Sequence, residues 1–355
     1  LNRIEIALND TTLADSWKEI PLEVKLVTLR ITEINGEITA EALFGQSAVE
    51  SDIIFDDVNL NENNEFHIRS IDNAAAVSEV KSHLWYVKEQ TSRILFINDY
   101  FGFSSQDVAN AHLELLNGIG LNQVDYLNIS DGNVIGGTRV PLSNAFPDRS
   151  LAAPTINLML AEWDYIYWIS DDLDRNIGYA LELTTKFFVQ GGKMFINIPI
   201  EFLADRNPLF QFLPFQAVQA EPAQQYPRRS PTFQVQRCSE ITATDEINYT
   251  PSLRMRRSVQ PANPIISFDQ SVSLFDAKFR LILRNPTEIG SYDGPATIAT
   301  MNPEQSILYF GFDFMDFTTI DNNPCKDSET GESLPPSDME GLLDFLLIET
   351  LGFDQ

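Results

Sequence analysis

Aspartates stand where several apolar runs stop. Asp99 follows Ile94-Leu95-Phe96-Ile97-Asn98, Asp171 and Asp172 follow Tyr165-Ile166-Tyr167-Trp168-Ile169-Ser170, and Asp313 follows Ile307 to Phe312, with Asp174 and Asp316 close behind. Runs of this kind read as strands, and ligands of open α/β sheets bind outside the carboxyl ends of the strands. Carboxylates converging there without a lysine suit Ca²⁺ or Mg²⁺, hard cations that take oxygen ligands. Asp99, Asp171, Asp172 and Asp313 therefore form the candidate metal site. The plainer alternative has each aspartate capping the helix or turn that follows it.

Other side chains point less clearly to chemistry. Ser170 lacks the Gly-x-Ser-x-Gly elbow of a nucleophilic serine, so a serine satisfying loop amides is the simpler expectation. Gly132, Gly136 and Gly137 have neither P-loop nor dinucleotide spacing and read as turn residues. The chain has three histidines, His67, His83 and His112. His112 lies near the apolar stripe of a helix, where a hydrogen-bonded edge histidine is expected. Arg228, Arg229, Arg237, Arg254, Arg256 and Arg257 stand out in an acidic chain, and pairing with this chain's own carboxylates is the expectation. Cys238 and Cys325 have no metal-ligand spacing, and whether they pair is open.

Two patterns position these residues. The first ninety residues read as β: Ile4, Ile6 and Leu8 alternate with polar neighbours, as do Val24, Leu26 and Thr28. Ile53-Ile54-Phe55, Phe66-His67-Ile68-Arg69 and Trp85-Tyr86-Val87 continue the series, and turn signals separate them. An all-β sandwich-like module over 1–90 follows. Beyond the polar boundary Glu89-Gln90-Thr91-Ser92, continuous apolar runs at Ile94–Ile97, Tyr165–Ile169 and Met194–Ile198 predict strands covered on both faces, hence an α/β open parallel sheet. Helices are expected from Ser104 or Ser105, with Val108, Ala111, Leu115 and Ile119 on the buried face and Asn117-Gly118 and Gly120 ending that helix, then over Pro154–Glu162 and Ile177–Val189. Residues 202–264 read as an irregular excursion. Strands resume at Lys278–Leu283, Ala296–Met301 and Ile307–Phe312. In the last helix Ser337-Asp338-Met339-Glu340 reads as a capping box, ahead of a core face of Leu342, Leu343, Phe345 and Leu346.

The stretch Arg3-Ile4-Glu5-Ile6-Ala7-Leu8-Asn9-Asp10 with Trp17, then Phe66-His67-Ile68-Arg69-Ser70-Ile71-Asp72-Asn73-Ala74 and Ser78, resembles a fibronectin type III or immunoglobulin-like module of extracellular bacterial proteins. In that family two strands usually precede the first segment and Leu1 leaves no room for them, so a trimmed or unusually built module is expected. The second region resembles the class I glutamine-amidotransferase-like (flavodoxin-like) domains of bacterial surface proteins. That resemblance rests on Ile94–Tyr100, Tyr165–Asp172, Gly191-Gly192-Lys193-Met194-Phe195-Ile196 and Phe310–Phe314, over most of 91–355. Active members of that superfamily place a nucleophilic cysteine on the turn after the third strand, with a later histidine. Here that turn reads Ser170-Asp171-Asp172, and no histidine follows the last strand, so thiol catalysis is not expected.

Acidic residues outnumber basic ones 17 to 7 over residues 1–90 and 34 to 17 beyond, so the net charge of -27 is no single tail. Such a surface repels phosphate backbones, which argues against nucleic-acid partners. No apolar run reaches the ~18 residues of a membrane span. Together with the resemblances, this leads to an expected non-catalytic binding or assembly module, outside the cell, at the surface or in the periplasm of a bacterium, whose ligand is a carbohydrate or another surface protein. A metal-assisted hydrolase using the strand-end aspartates, or an accessory part of a larger surface enzyme, is the alternative.

Overall fold

A computed structural model describes residues 1–34, 36–100, 104–129, 134–135, 138–139, 149–172, 177, 184–200, 203, 207–220, 231–250, 252–283, 288–317 and 324–354. Most of it is β, in several sheets. The chain divides into two compact units.

The first unit holds two antiparallel sheets. Arg3–Leu8 lies between Lys18–Ile20 and Glu62–Ile71, and Lys81–Val87 borders Glu62–Ile71. Val27–Ile34, Glu37–Phe44 and Val49–Phe55 form a three-stranded meander. Alternation explains the core: Ile6, Leu8 and Ile20 from one sheet pack with Ala40, Ala42 and Phe55 from the other. The helix Arg149–Leu160 groups with this unit, and the Thr155 hydroxyl lies 2.9 Å from that of Thr28. It is longer than the expected Pro154–Glu162 and carries Pro154 inside it.

In the second unit, Ile94–Asp99, Asp125–Asn128, Tyr165–Ser170, Lys193–Asn197 and Ile307–Phe310 pair in parallel. Numbered one to five along the chain, they lie in the order 2-1-3-4-5. The first and third are buried along their whole length, as continuous apolar runs require. The sheet is not wholly parallel, however. Thr297–Met301, Val272–Ala277, Glu240–Ala243 and Leu253–Arg254 extend it antiparallel beyond the fifth strand, giving nine strands of mixed direction. The tight turn Asn302–Ser306 forces this change, because a connection that short can only join antiparallel strands.

The span expected to be irregular holds Phe215–Val218, Pro231–Val235 and two of these added strands. Phe279–Leu283 belongs to a separate three-stranded sheet with Pro231–Val235 and Glu288–Ser291. The first helix of this unit, Ser105–Gly118, buries Val108, Ala109, His112 and Leu116, so its inner face is turned from the expected one and includes the histidine. Of the helix expected over Ile177–Val189, residues 178–183 lie outside the described residues, and Thr185–Val189 is helical. The final helix starts at Met339, so Asp338 caps it by accepting from the Gly341 amide at 2.9 Å. Ser337 is taken instead by Arg254: its hydroxyl accepts from the Arg254 amide and donates to the Arg254 carbonyl. Leu342, Leu343, Leu346, Leu347 and Leu351 then close the core, with the last two turns wound more widely as a π-helix.

Candidate functional site

The carboxyl ends of the parallel strands carry a layer of polar side chains beneath a hydrophobic sheet. Register sets Ser170 beside Asp99, and Asn197 beside Phe310. Each buried polar group of this layer must find a partner to offset lost hydration. Asn98 donates to the Ser105 hydroxyl at 3.0 Å and the Tyr126 hydroxyl at 2.9 Å, and accepts from the Tyr100 amide. Asn197 donates to the carbonyls of Phe310 and Phe312. The Ser170 hydroxyl bonds the carbonyls of Asp99 and Asp172 and the Asp172 amide, all backbone atoms. Among the described residues no side-chain base is bonded to this serine.

Asp313 is shared between two partners. One carboxylate oxygen accepts from the Met315 amide at 2.8 Å and caps the turn Phe314–Asp316, and the other accepts from the Tyr100 hydroxyl. Burial first, then the adjacent Asp313 charge, holds the Tyr100 phenol well above its ordinary range. Asp316 is buried and paired with the Arg257 guanidinium, and the Arg256 amide donates to its carbonyl. Burial raises the Asp316 carboxyl, against the pull of Arg257. Sequence reasoning named Asp316 and Arg257 separately. Tyr100, which joins the first strand to the turn after the fifth, was missed, although its place directly after Asp99 was the signal.

The four aspartates of the expected metal site thus lie at one end of one sheet. Asp99 is buried in the first strand, Asp171 and Asp172 are half-buried after the third, and Asp313 is bound to Tyr100. Among the described residues no three His, Cys, Asp or Glu side chains gather closely enough to hold a metal ion. Asp174, Gly132, Gly136, Gly137, Arg228 and Arg229 lie outside the described residues.

The remaining candidates are also placed. Cys238 and Cys325 form a disulfide across 87 residues, which leaves no thiol. His112 is not at a helix edge but fully buried, its Nδ1 2.7 Å from the Tyr167 hydroxyl and its ring stacked on Phe314. Burial drops its pKa to about 3, so it is neutral at physiological pH. His67 bonds the Ser82 hydroxyl in the first unit. Arg254 pairs with Glu240 as Arg257 does with Asp316, while the Arg237 side chain donates to the Arg256 carbonyl.

No family model and no curated protein matches this chain. The reading of its function rests on these residues. What they form is a network that ties the strand ends to the turns after them. Within it the Ser170 hydroxyl bonds backbone atoms, the Tyr100 phenol bonds Asp313, and the Asp316 carboxylate pairs with Arg257.

Proposed function

We propose that the chain is a non-catalytic binding or assembly module of a secreted or surface-exposed bacterial protein. The observation that carries this reading is the engagement of the strand-end groups: Ser170 with backbone, Asp313 with Tyr100 and the Met315 amide, Asp316 with Arg257. A catalytic serine or carboxylate needs a partner that it can exchange protons with, and these partners serve the fold instead. The Cys238–Cys325 disulfide supports a location in an oxidising compartment, since such bonds persist in exported proteins and are rare in the cytosol.

The family resemblance of the second region is part of the proposal. The 2-1-3-4-5 order of the parallel strands supports a flavodoxin-like, amidotransferase-like ancestry with the catalytic residues absent. Two antiparallel sheets around a common core support the fibronectin-like reading of the first unit. The test is a turnover screen with glutamine, γ-glutamyl anilide, and nitrophenyl esters, phosphates and glycosides. The expected result is no rate above buffer. Turnover that Ser170→Ala or Asp313→Asn abolishes, with the melting temperature of the variant preserved, overturns the proposal.

A further inference from the structure

A cleft of about 730 Å³ opens at the other end of the sheet. One wall is the turn Asn302–Ser306, whose Ser306 carbonyl accepts from the Met194 amide at the start of the fourth parallel strand. Its volume lies within the ~300–1,000 Å³ range of small-ligand sites. Three features fix its chemistry.

The first is aromatic. Phe188 and Phe212 line the cleft with ring centroids 6.1 Å apart, and Phe268 stands at its edge. Phe268 is 40% exposed and is the only exposed phenylalanine among the described residues. This chain buries its other described phenylalanines wholly or partly, so an open ring beside a cavity marks a contact surface. The second is polar: Gln211 and Gln270 present exposed amides, and Ser271 in the wall has a buried hydroxyl with no hydrogen-bond partner. A buried hydroxyl without a partner costs free energy that a bound water or ligand can relieve. The third is charge. Asp269 and Glu304 line the cleft, and no Lys or Arg does so among the described residues. Phosphate, sulfate and uronate groups are therefore repelled.

We infer that this cleft binds a neutral carbohydrate. Aromatic faces take the C–H faces of a pyranose, while amides and carboxylates exchange hydrogen bonds with its hydroxyls, and nothing in the site calls for an anionic ligand. The inference rests on the reading of the chain as a binding module and gives that module a ligand class, at a site remote from the strand-end network.

The experiment is calorimetric titration of the whole chain at neutral pH with the hexaoses of β-1,4-glucose, α-1,4-glucose, β-1,4-xylose, β-1,4-mannose and β-1,4-N-acetylglucosamine. Hexagalacturonate and hexalysine serve as charged contrasts. At least one neutral hexaose is expected to bind with a millimolar or tighter Kd. Phe268→Ala should weaken that binding about tenfold, the effect of losing one stacked aromatic contact with its buried area, at an unchanged melting temperature. Gln270→Ala should weaken it less. The inference is overturned if no neutral hexaose binds at millimolar concentration, if Phe268→Ala binds as well as the wild type, or if hexagalacturonate or hexalysine binds better than every neutral sugar. A hexaose that binds and is hydrolysed would leave the cleft in place and refute only the non-catalytic reading.

Discussion

Lowering the pH should unload stability through His112. Its ring is fully buried, and burial takes its pKa from 6.5 in the unfolded chain to about 3 in the folded one. A histidine depressed in this way contributes its full stability above the unfolded value and loses it as pH falls toward the folded value. At pH 7.5 the unfolded chain gains almost nothing by protonating this ring. At pH 5.0 the gain is RT times the logarithm of about 30, or about 2 kcal/mol, and the folded ring is still neutral. His112→Asn isolates the effect: its Oδ1 can take the place of Nδ1 beside the Tyr167 hydroxyl, and it cannot be protonated. The smaller side chain lowers stability at both pH values alike, so the slope carries the information. Urea unfolding of both proteins at pH 7.5 and 5.0 gives it. The wild type should lose about 2 kcal/mol more than the variant between those values. Carboxyls raised by burial, such as Asp276 and Asp316, act in the opposite direction, but they are common to both proteins and cancel. Equal pH dependence in the two proteins would show that protons reach His112 in the folded state and would refute the argument.

The disulfide closes a span of 87 residues, for which chain entropy alone gives about 4–5 kcal/mol, an upper figure in practice. Dithiothreitol, or joint replacement of Cys238 and Cys325 by serine, should therefore lower the melting temperature clearly, and an unchanged melt would count against the pairing. If the strand-end aspartates are structural, millimolar Ca²⁺ or Mg²⁺ should not shift the melting temperature of the wild type relative to chelator, and Asp171→Asn should be no more stable than the wild type. A metal-dependent rise in the wild type, together with a stabilised variant, would restore the carboxylate set as a cation site.

Much of the central sheet was legible because its strands are buried on both faces. Ile94–Ile97, Tyr165–Ile169 and the run from Met194 needed no alternation to be read, and Gly120, at φ 89, marks the helix end that its position implied. The antiparallel extension was hidden for a physical reason. Glu240–Ala243 and Leu253–Arg254 are short, and their pairing with Val272–Ala277 and with each other depends on distant partners rather than local propensity. His112 disguised the inner face of its helix, since a polar residue at a core position moves the apparent stripe by one. The cap at Ser337 was misread by one residue because Asp338 is equally competent and the strand at Arg254 takes the serine. At the strand ends the aspartates were visible, but their bonds were not: Tyr100 and Asp313 are 213 residues apart, and no sequence spacing connects them.

The central claim is that the polar layer at the strand ends serves the fold, and a double-mutant cycle on Tyr100 and Asp313 tests it most directly. Tyr100→Phe removes the donor of the phenol–carboxylate hydrogen bond, and Asp313→Asn removes the charge and leaves one acceptor oxygen for the Tyr100 hydroxyl and the Met315 amide to share. A hydrogen bond to a charged group stabilises by about 1.5–3 kcal/mol. Each single variant should therefore lose more than about 1 kcal/mol in urea unfolding, and the pair should show a coupling energy of about 1 kcal/mol or more. Coupling near zero, with both variants as stable as the wild type, would contradict the claim and leave these groups held in place for chemistry rather than for the sheet.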